Sequence, residues 1–327
     1  MIRSSSEKLL IDSFAHFLVD GLCMVILFRQ DKDMLSTLIL LYNTLAFSTQ
    51  CLTGIIIDRW GKGRYGIIIS CLILSLSYFI DFNPYLTVTA TGLANSLFHV
   101  SGGYMTLIDA EKKMAPLGIF VSPGCLGLVL GYSYPRLGLY FALGLLLIAV
   151  LSLFMDEEND HEIYHNIENA NPMIMILLLA IMTRAIGGSV TQFSWKTSDI
   201  LSIVMTMSVF MGKFLGGYIH EKFGIGKTSI VSIILSSILV SFCSSSMCLS
   251  LLGQLLLNLS MPVTLWLIYM LMNDKPGFAF GLAASVLWPG TLIGTLMNSS
   301  SYSSLLIIIA FMLGLFAIMF VERRIKQ

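Results

Sequence analysis

Four ionisable side chains stand where ionisable side chains are costly. His16 and Asp20 lie four positions apart in HFLVD, within the apolar stretch that follows the N-terminus; His99 lies in NSLFHVSGG and Arg184 in AIMTRAIGG. An ionisable group inside a membrane helix marks an ion or substrate path by default. The spacing of His16 and Asp20 puts both on one helix face. Imidazole titrates near neutral pH, so a carboxylate beside imidazoles can take up and release protons. Asp20 is the expected proton-coupling residue, with His16 and His99 relaying the proton or binding substrate. The alternative is structural: Asp20 and Arg184 as a static ion pair, and the histidines bonded to backbone carbonyls.

Composition says what must position these groups. Of 327 residues, 56% are hydrophobic and 12% charged, with a mean hydropathy of +0.84; a soluble domain carries roughly 25% charged residues. This is the composition of an integral membrane protein, and without the short alternating segments of a barrel it is read as a helical bundle. Nineteen basic and nineteen acidic residues cancel, which gives no electrostatic argument for a nucleic-acid partner. The six cysteines show no metal or CxxC spacing and read as small core hydrophobes. Asp12, His16 and Asp20 break up the first apolar run, so it is expected to be a retained membrane helix rather than a signal peptide.

Apolar runs predict twelve transmembrane helices near 8–28, 34–57, 64–82, 85–109, 113–133, 137–155, 172–194, 199–219, 226–243, 247–271, 277–297 and 302–321. The polar stretch at 156–171 divides them into two six-helix bundles, 1–155 and 172–327. It holds His161 and His165 among acids and reads as a solvated acidic linker on the cytoplasmic side rather than a metal site. Basic residues sort by side. With both termini cytoplasmic, the inner segments hold Arg3, Lys8, Arg59, Lys62, Arg64, Lys112, Lys113, Lys222, Lys227, Lys275, Arg323, Arg324 and Lys326, against Arg29, Lys32, Arg136 and Lys196 outside.

An internal repeat relates the halves. A shift of 163 positions lays Gly54 on Gly217, Asp58 on Glu221, Gly61 on Gly224, Gly63 on Gly226, Arg64 on Lys227 and Asn95 on Asn258, and puts Asp20 one place short of Arg184. Two like-oriented bundles form a transporter architecture with the substrate site between them near the midplane. Asp20 and Arg184 are then expected to face one another across that cavity. Asn95, Asn258 and Trp288 are expected to line it, the two asparagines having interhelical bridging as their alternative role. Pro123–Gly124 and Pro289–Gly290 are expected to bend the fifth and eleventh helices.

The loop Gly54-x-x-x-Asp58-Arg59-x-Gly61-Lys62-x-Arg64 resembles the signature between the second and third helices of the major facilitator superfamily, with Gly63 standing where that family has a second basic residue. Its echo runs through Gly217, Glu221 and Gly224. The resemblance implies alternating access and a cytoplasmic gate made by this loop. GLANSLFHVSGG together with HFLVDG is similar to the fosmidomycin-resistance type of efflux carrier. Gly118-x-x-x-Ser122-Pro123-Gly124 resembles the superfamily's antiporter motif, with Ser122 in place of glycine; the arginine usual in the fourth helix of drug–proton antiporters is missing. The residues themselves supply no acid pair, nucleophile with its base, or phosphate loop, so no enzyme and no cofactor is expected.

The expectation is a monomeric secondary transporter in the cell membrane, exporting a small organic molecule against protons. Proton-coupled or facilitated uptake, and a non-transporting receptor or assembly protein, are the alternatives.

Overall fold

The computed structural model describes residues 4–80, 83–110, 113–155, 170–272, 274–297 and 303–326. Most of the 156–171 linker, with His161 and His165, lies outside the described residues.

Twelve helical segments appear among the described residues: α1 Ser5–Phe28, α2 Leu35–Trp60, α3 Gly63–Phe79, α4 Pro84–Asp109, α5 Ala115–Ser133, α6 Pro135–Ser152, α7 Ala170–Val190, α8 Asp199–Phe223, α9 Ile225–Phe242, α10 Met247–Leu271, α11 Pro276–Met297 and α12 Ser303–Ile325. Ten are long and apolar enough to cross a membrane. The exceptions have separate causes: α3 has only 17 residues, and α4 is diluted by Thr87, Thr91, Asn95, Ser96, His99 and Ser101. The fold is an all-helical membrane fold.

The 163-residue repeat is carried into the helix boundaries. Shifting the ends of α1 to α5 by 163 lands within two residues of the ends of α7 to α11. Packing repeats too. α1 packs on the second part of α5, and α3 on α4 and α6, just as α7 packs on the second part of α11, and α9 on α10 and α12.

Two compact units result. The first gathers the described residues of Met1–Glu111, Ile119–Glu162 and Lys275–Ala284; the second gathers those of Lys112–Gly118, Ile163–Asp274 and Ser285–Gln327. The opening turns of α5 and α11 thus pack with the unit formed mainly by the other half of the sequence.

Glycine sets the closest approach within each unit. A side chain at Gly127 or Gly131 would meet the Phe17 or Gly21 carbonyl of α1; one at Gly290 or Gly294, the positions 163 further on, would meet the Met182 or Ile186 carbonyl of α7. Small residues four apart let membrane helices touch backbone to backbone.

Proline interrupts the same helices. α5 is broken at Ser122, between Ala115–Val121 and Pro123–Ser133. Pro123 has no N–H for the Ile119 carbonyl, which instead accepts the Ser122 hydroxyl at 3.2 Å. α11 breaks at Val286, between Pro276–Ser285 and Leu287–Met297. Pro289 crowds the carbonyl four residues earlier, at Ser285. α10 breaks between Asn258 and Met261, where Pro262 has the same effect.

Candidate functional site

The first unit concentrates its ionisable groups on one line of α1. Lys8, Asp12, His16 and Asp20 recur every four residues and are 1%, 2%, 4% and 6% exposed. Four-residue spacing keeps them on one face, and that face is turned into the bundle.

At the inner end of the line, His16 Nε2 lies 3.3 Å from Asp20 Oδ2, and His99 Nε2 of α4 lies 3.5 Å from Asp20 Oδ1. Asn95 Nδ2 donates to Asp20 Oδ1 at 3.2 Å. The two imidazoles meet edge to face, their centroids 4.5 Å apart. His16 Nδ1 is 2.8 Å from the Phe120 carbonyl, just before the break in α5, and His99 Nδ1 is 2.9 Å from the Asn95 carbonyl. A side chain at Gly124 would run into Asp20 Oδ2 and His16 Nε2. The proline-induced break therefore places both a carbonyl and a glycine against the cluster. Both histidines do bond to carbonyls, but each uses one ring nitrogen for that and turns the other to Asp20.

Asp12 holds a different partner, Arg64 Nη1 of α3, at 2.6 Å in a buried ion pair. Sequence reasoning placed Arg64 in the gate loop and gave Asp12 no role. The four-residue recurrence of Lys8, Asp12, His16 and Asp20 was the signal that could have found it. The repeat does not extend to this pair: Lys227 is exposed, and Met175 stands 163 residues beyond Asp12.

In the second unit, half-buried Arg184 donates from Nη1 to Ser260 Oγ at 3.3 Å and to Thr264 Oγ1 at 3.5 Å. The break in α10 delivers both hydroxyls. The cavity there, lined by Arg184, Ser260, Thr264 and Phe311, measures about 20 Å³, room for about one water molecule. Asp20 and Arg184 each have polar partners inside their own unit. Asn258 Nδ2 donates to the Gln254 carbonyl of its own helix at 2.8 Å, whereas Asn95 reaches Asp20; the matched asparagines do different work. Trp288 is half-buried in the second part of α11.

The loop motif shows the repeat at atomic detail. Asp58 accepts the Gly277 and Phe278 amides at 2.7 and 2.8 Å, at the start of α11. Glu221 accepts the Met114 and Ala115 amides at the start of α5, the latter at 2.9 Å. Each acid, and each pair of amides, is 163 positions from its counterpart. A carboxylate at a helix N-terminus satisfies orphan amides and opposes the positive end of the dipole. Gly54 and Gly217 make room: a side chain at either would collide with backbone at Gly277 or at Ala115. Gly61 and Gly224 are the positive-φ glycines among the described residues, at +66° and +89°. They end α2 and α8 by donating to the Ile57 and His220 carbonyls at 2.8 and 2.9 Å. Arg59 and Lys62 are exposed, the positions expected of charges that hold a loop at the membrane surface.

Comparison with solved structures shows a shared fold. The fold is similar to that of solved major facilitator superfamily transporters. The chain superposes on a single-residue variant of the fucose:proton symporter FucP from E. coli with a TM-score of 0.69, at 10% identity, over 96% of this chain and 98% of the other. It superposes equally, with a TM-score of 0.69 and 11% identity, on FucP in the outward conformation, over 96% and 97% of the two chains. No protein-family model and no curated protein matches the sequence. The likeness is therefore one of fold alone, at an identity too low to transfer any substrate.

Proposed function

We propose that this chain is a secondary active transporter that moves a small organic molecule across the membrane by alternating access, driven by protons and directed outward. The observation that carries the reading is the cluster around Asp20. A carboxylate buried in a membrane helix, with two imidazole nitrogens within 3.5 Å, has no use in a scaffold that only needs to be stable, because burying it is costly. It is the arrangement expected of a group that gains and loses a proton during a transport cycle.

The roles divide by chemistry. Asp20 takes the coupling proton, and His16 and His99 deliver or share it. Arg184 binds an anionic or hydrogen-bond-accepting part of the substrate, with Asn95, Asn258 and Trp288 as further contacts. Asp58 with Arg59, Gly61, Lys62 and Arg64, echoed by Gly217, Glu221 and Gly224, forms the cytoplasmic gate. The working bundles are residues 1–155 and 172–327, joined by the 156–171 linker. The protein acts as a monomer in the cell membrane, with both termini in the cytoplasm.

A proton-coupled carrier of the same fold supports the class of mechanism. The activity of that carrier, symport of fucose with protons, favours the second reading, proton-coupled uptake. The likeness of HFLVDG and GLANSLFHVSGG to the fosmidomycin-resistance type supports export.

The test uses the purified chain in sealed vesicles that report internal pH, with fosmidomycin and fucose as first probes and further candidates found by thermal stabilisation. Substrate-dependent proton movement that vanishes in Asp20→Asn is expected. Transport that continues undiminished in Asp20→Asn would remove proton coupling from the reading, and the direction of movement under an imposed gradient separates export from uptake.

A further inference from the structure

The tautomers of the two histidines are fixed by their neighbours. A backbone carbonyl can only accept, so the proton between His16 and Phe120 sits on Nδ1 of His16, and that between His99 and Asn95 on Nδ1 of His99. In the neutral ring this leaves the lone pair on Nε2, the nitrogen each residue turns toward Asp20. Two imidazole nitrogens thus flank one carboxylate, and a ligand atom from each of the three residues lies within 4.8 Å of the others. Three electron-pair donors so close together in an apolar bundle call for a cation.

We propose that His16, Asp20 and His99 form a binding site for a divalent transition-metal ion. Tetrahedral coordination with bonds of about 2.0–2.1 Å sets neighbouring donors roughly 3.3–3.4 Å apart. The His16 Nε2–Oδ2 and His99 Nε2–Oδ1 separations, 3.3 and 3.5 Å, are close to that edge, one to each oxygen of the Asp20 carboxylate. Metal-bound histidines characteristically donate their other N–H to a carbonyl or carboxylate, which fixes the ring and its tautomer; both histidines do so here. Asn95 holds Asp20 Oδ1 from the remaining side, a further outer contact of the kind that orients a ligand. Gly124, where a side chain would press on Asp20 Oδ2 and His16 Nε2, keeps the space beside the donors clear.

The donor set chooses the class of ion. Two imidazoles and one carboxylate suit zinc, iron, manganese, cobalt or nickel, whereas calcium and magnesium take oxygen ligands. Three protein ligands leave a coordination position open for water or a bound molecule. The link to transport rests on Asp20 being the proton site: ion and coupling proton use the same donor atoms, so each excludes the other.

The test is titration of the purified full-length chain in detergent with Co²⁺, whose visible absorption reports its coordination, followed by Zn²⁺ competition. One saturable site per chain is expected, with histidine nitrogen in the first shell of the Co²⁺-loaded wild type by X-ray absorption. Loss of an outer contact alone costs about 10–100-fold in metal affinity, so Asp20→Asn and His99→Gln should each weaken binding at least tenfold, and Thr295→Ala, at an exposed position of α11, should not. Melting curves identify any variant that has lost its fold, and the wild-type spectrum decides without variants. No saturable binding, a first shell free of histidine, or folded Asp20 and His99 variants that bind as well as wild type would each overturn the site. Metal binding without proton movement in vesicles removes only the proton reading; proton movement without metal binding removes only this one.

Discussion

Asp58 and Glu221 perform one task at two places 163 residues apart. Each lays its carboxylate across the first amides of a helix, Asp58 on α11 and Glu221 on α5. The repeat is therefore conserved in function between the halves even where the residue type changes, because either carboxylate can cap a helix start.

Neutralising the better buried of the two should cost more. A partly buried anion at a helix N-terminus contributes up to about 2 kcal/mol, so Asp58→Asn is expected to lower unfolding stability by about 1–2 kcal/mol. Glu221 is exposed, and Glu221→Gln should give the smaller shift because solvent screens it. Denaturant melts of both variants check the order; equal or reversed losses would contradict the capping account.

The α1–α5 seam makes a prediction about methyl groups. Gly131→Ala forces a carbon against the Gly21 carbonyl, and overpacking of this kind costs about 1–3 kcal/mol. At Gly314 an added methyl meets nothing within 4 Å, so Gly314→Ala should leave the melting temperature unchanged or slightly raised. A thermal scan of the pair is sufficient.

The Asp12–Arg64 ion pair should be worse half-present than absent. Removing one partner of a buried pair costs about 3–5 kcal/mol, while replacing both with apolar residues of similar volume is often neutral. Asp12→Leu and Arg64→Met are each expected to destabilise strongly, and the double variant to regain most of the loss. A double-mutant cycle by chemical denaturation measures the coupling; additive losses would show that the two charges do not depend on one another.

Arg184 should act on ligand affinity more than on the fold. Its two bonds to hydroxyls are long, 3.3 and 3.5 Å, which leaves its donors available to a stronger acceptor. A charge-assisted hydrogen bond is worth about 1.5–3 kcal/mol, so Arg184→Gln is expected to weaken an anionic substrate about 10–100-fold, with Ser260→Ala doing less. Ligand-induced thermal stabilisation reads the affinity, and unchanged ligand protection in Arg184→Gln would remove Arg184 from the substrate path.

Much of the scaffold was legible beforehand for one physical reason: a membrane helix must satisfy its backbone internally and present about 20 apolar residues. Hydropathy alone therefore located all twelve segments, and the 163-residue shift matched the first four helices of one half to those of the other. The breaks at Pro123 and Pro289 followed from the missing N–H of proline, although the second falls three residues earlier, at Val286. Harder to see was the exchange by which the first turns of α5 and α11 join the other unit, since nothing in an apolar run says which neighbour it packs on.

The sequence by itself determined the membrane class, the twofold repeat and the expensive residues His16, Asp20, His99 and Arg184, because these depend on composition and local periodicity. Only the tertiary structure decided what those residues meet. Matched positions diverged: Asn95 turned to Asp20 while Asn258 turned back on its own helix, and Arg64 found Asp12 while Lys227 remained exposed. Hydrogen bonds and ion pairs are settled within a few ångströms, by side chains brought together from helices distant in the chain. The distance between His16 and His99 in sequence gives no hint that both would turn a ring nitrogen to the same carboxylate.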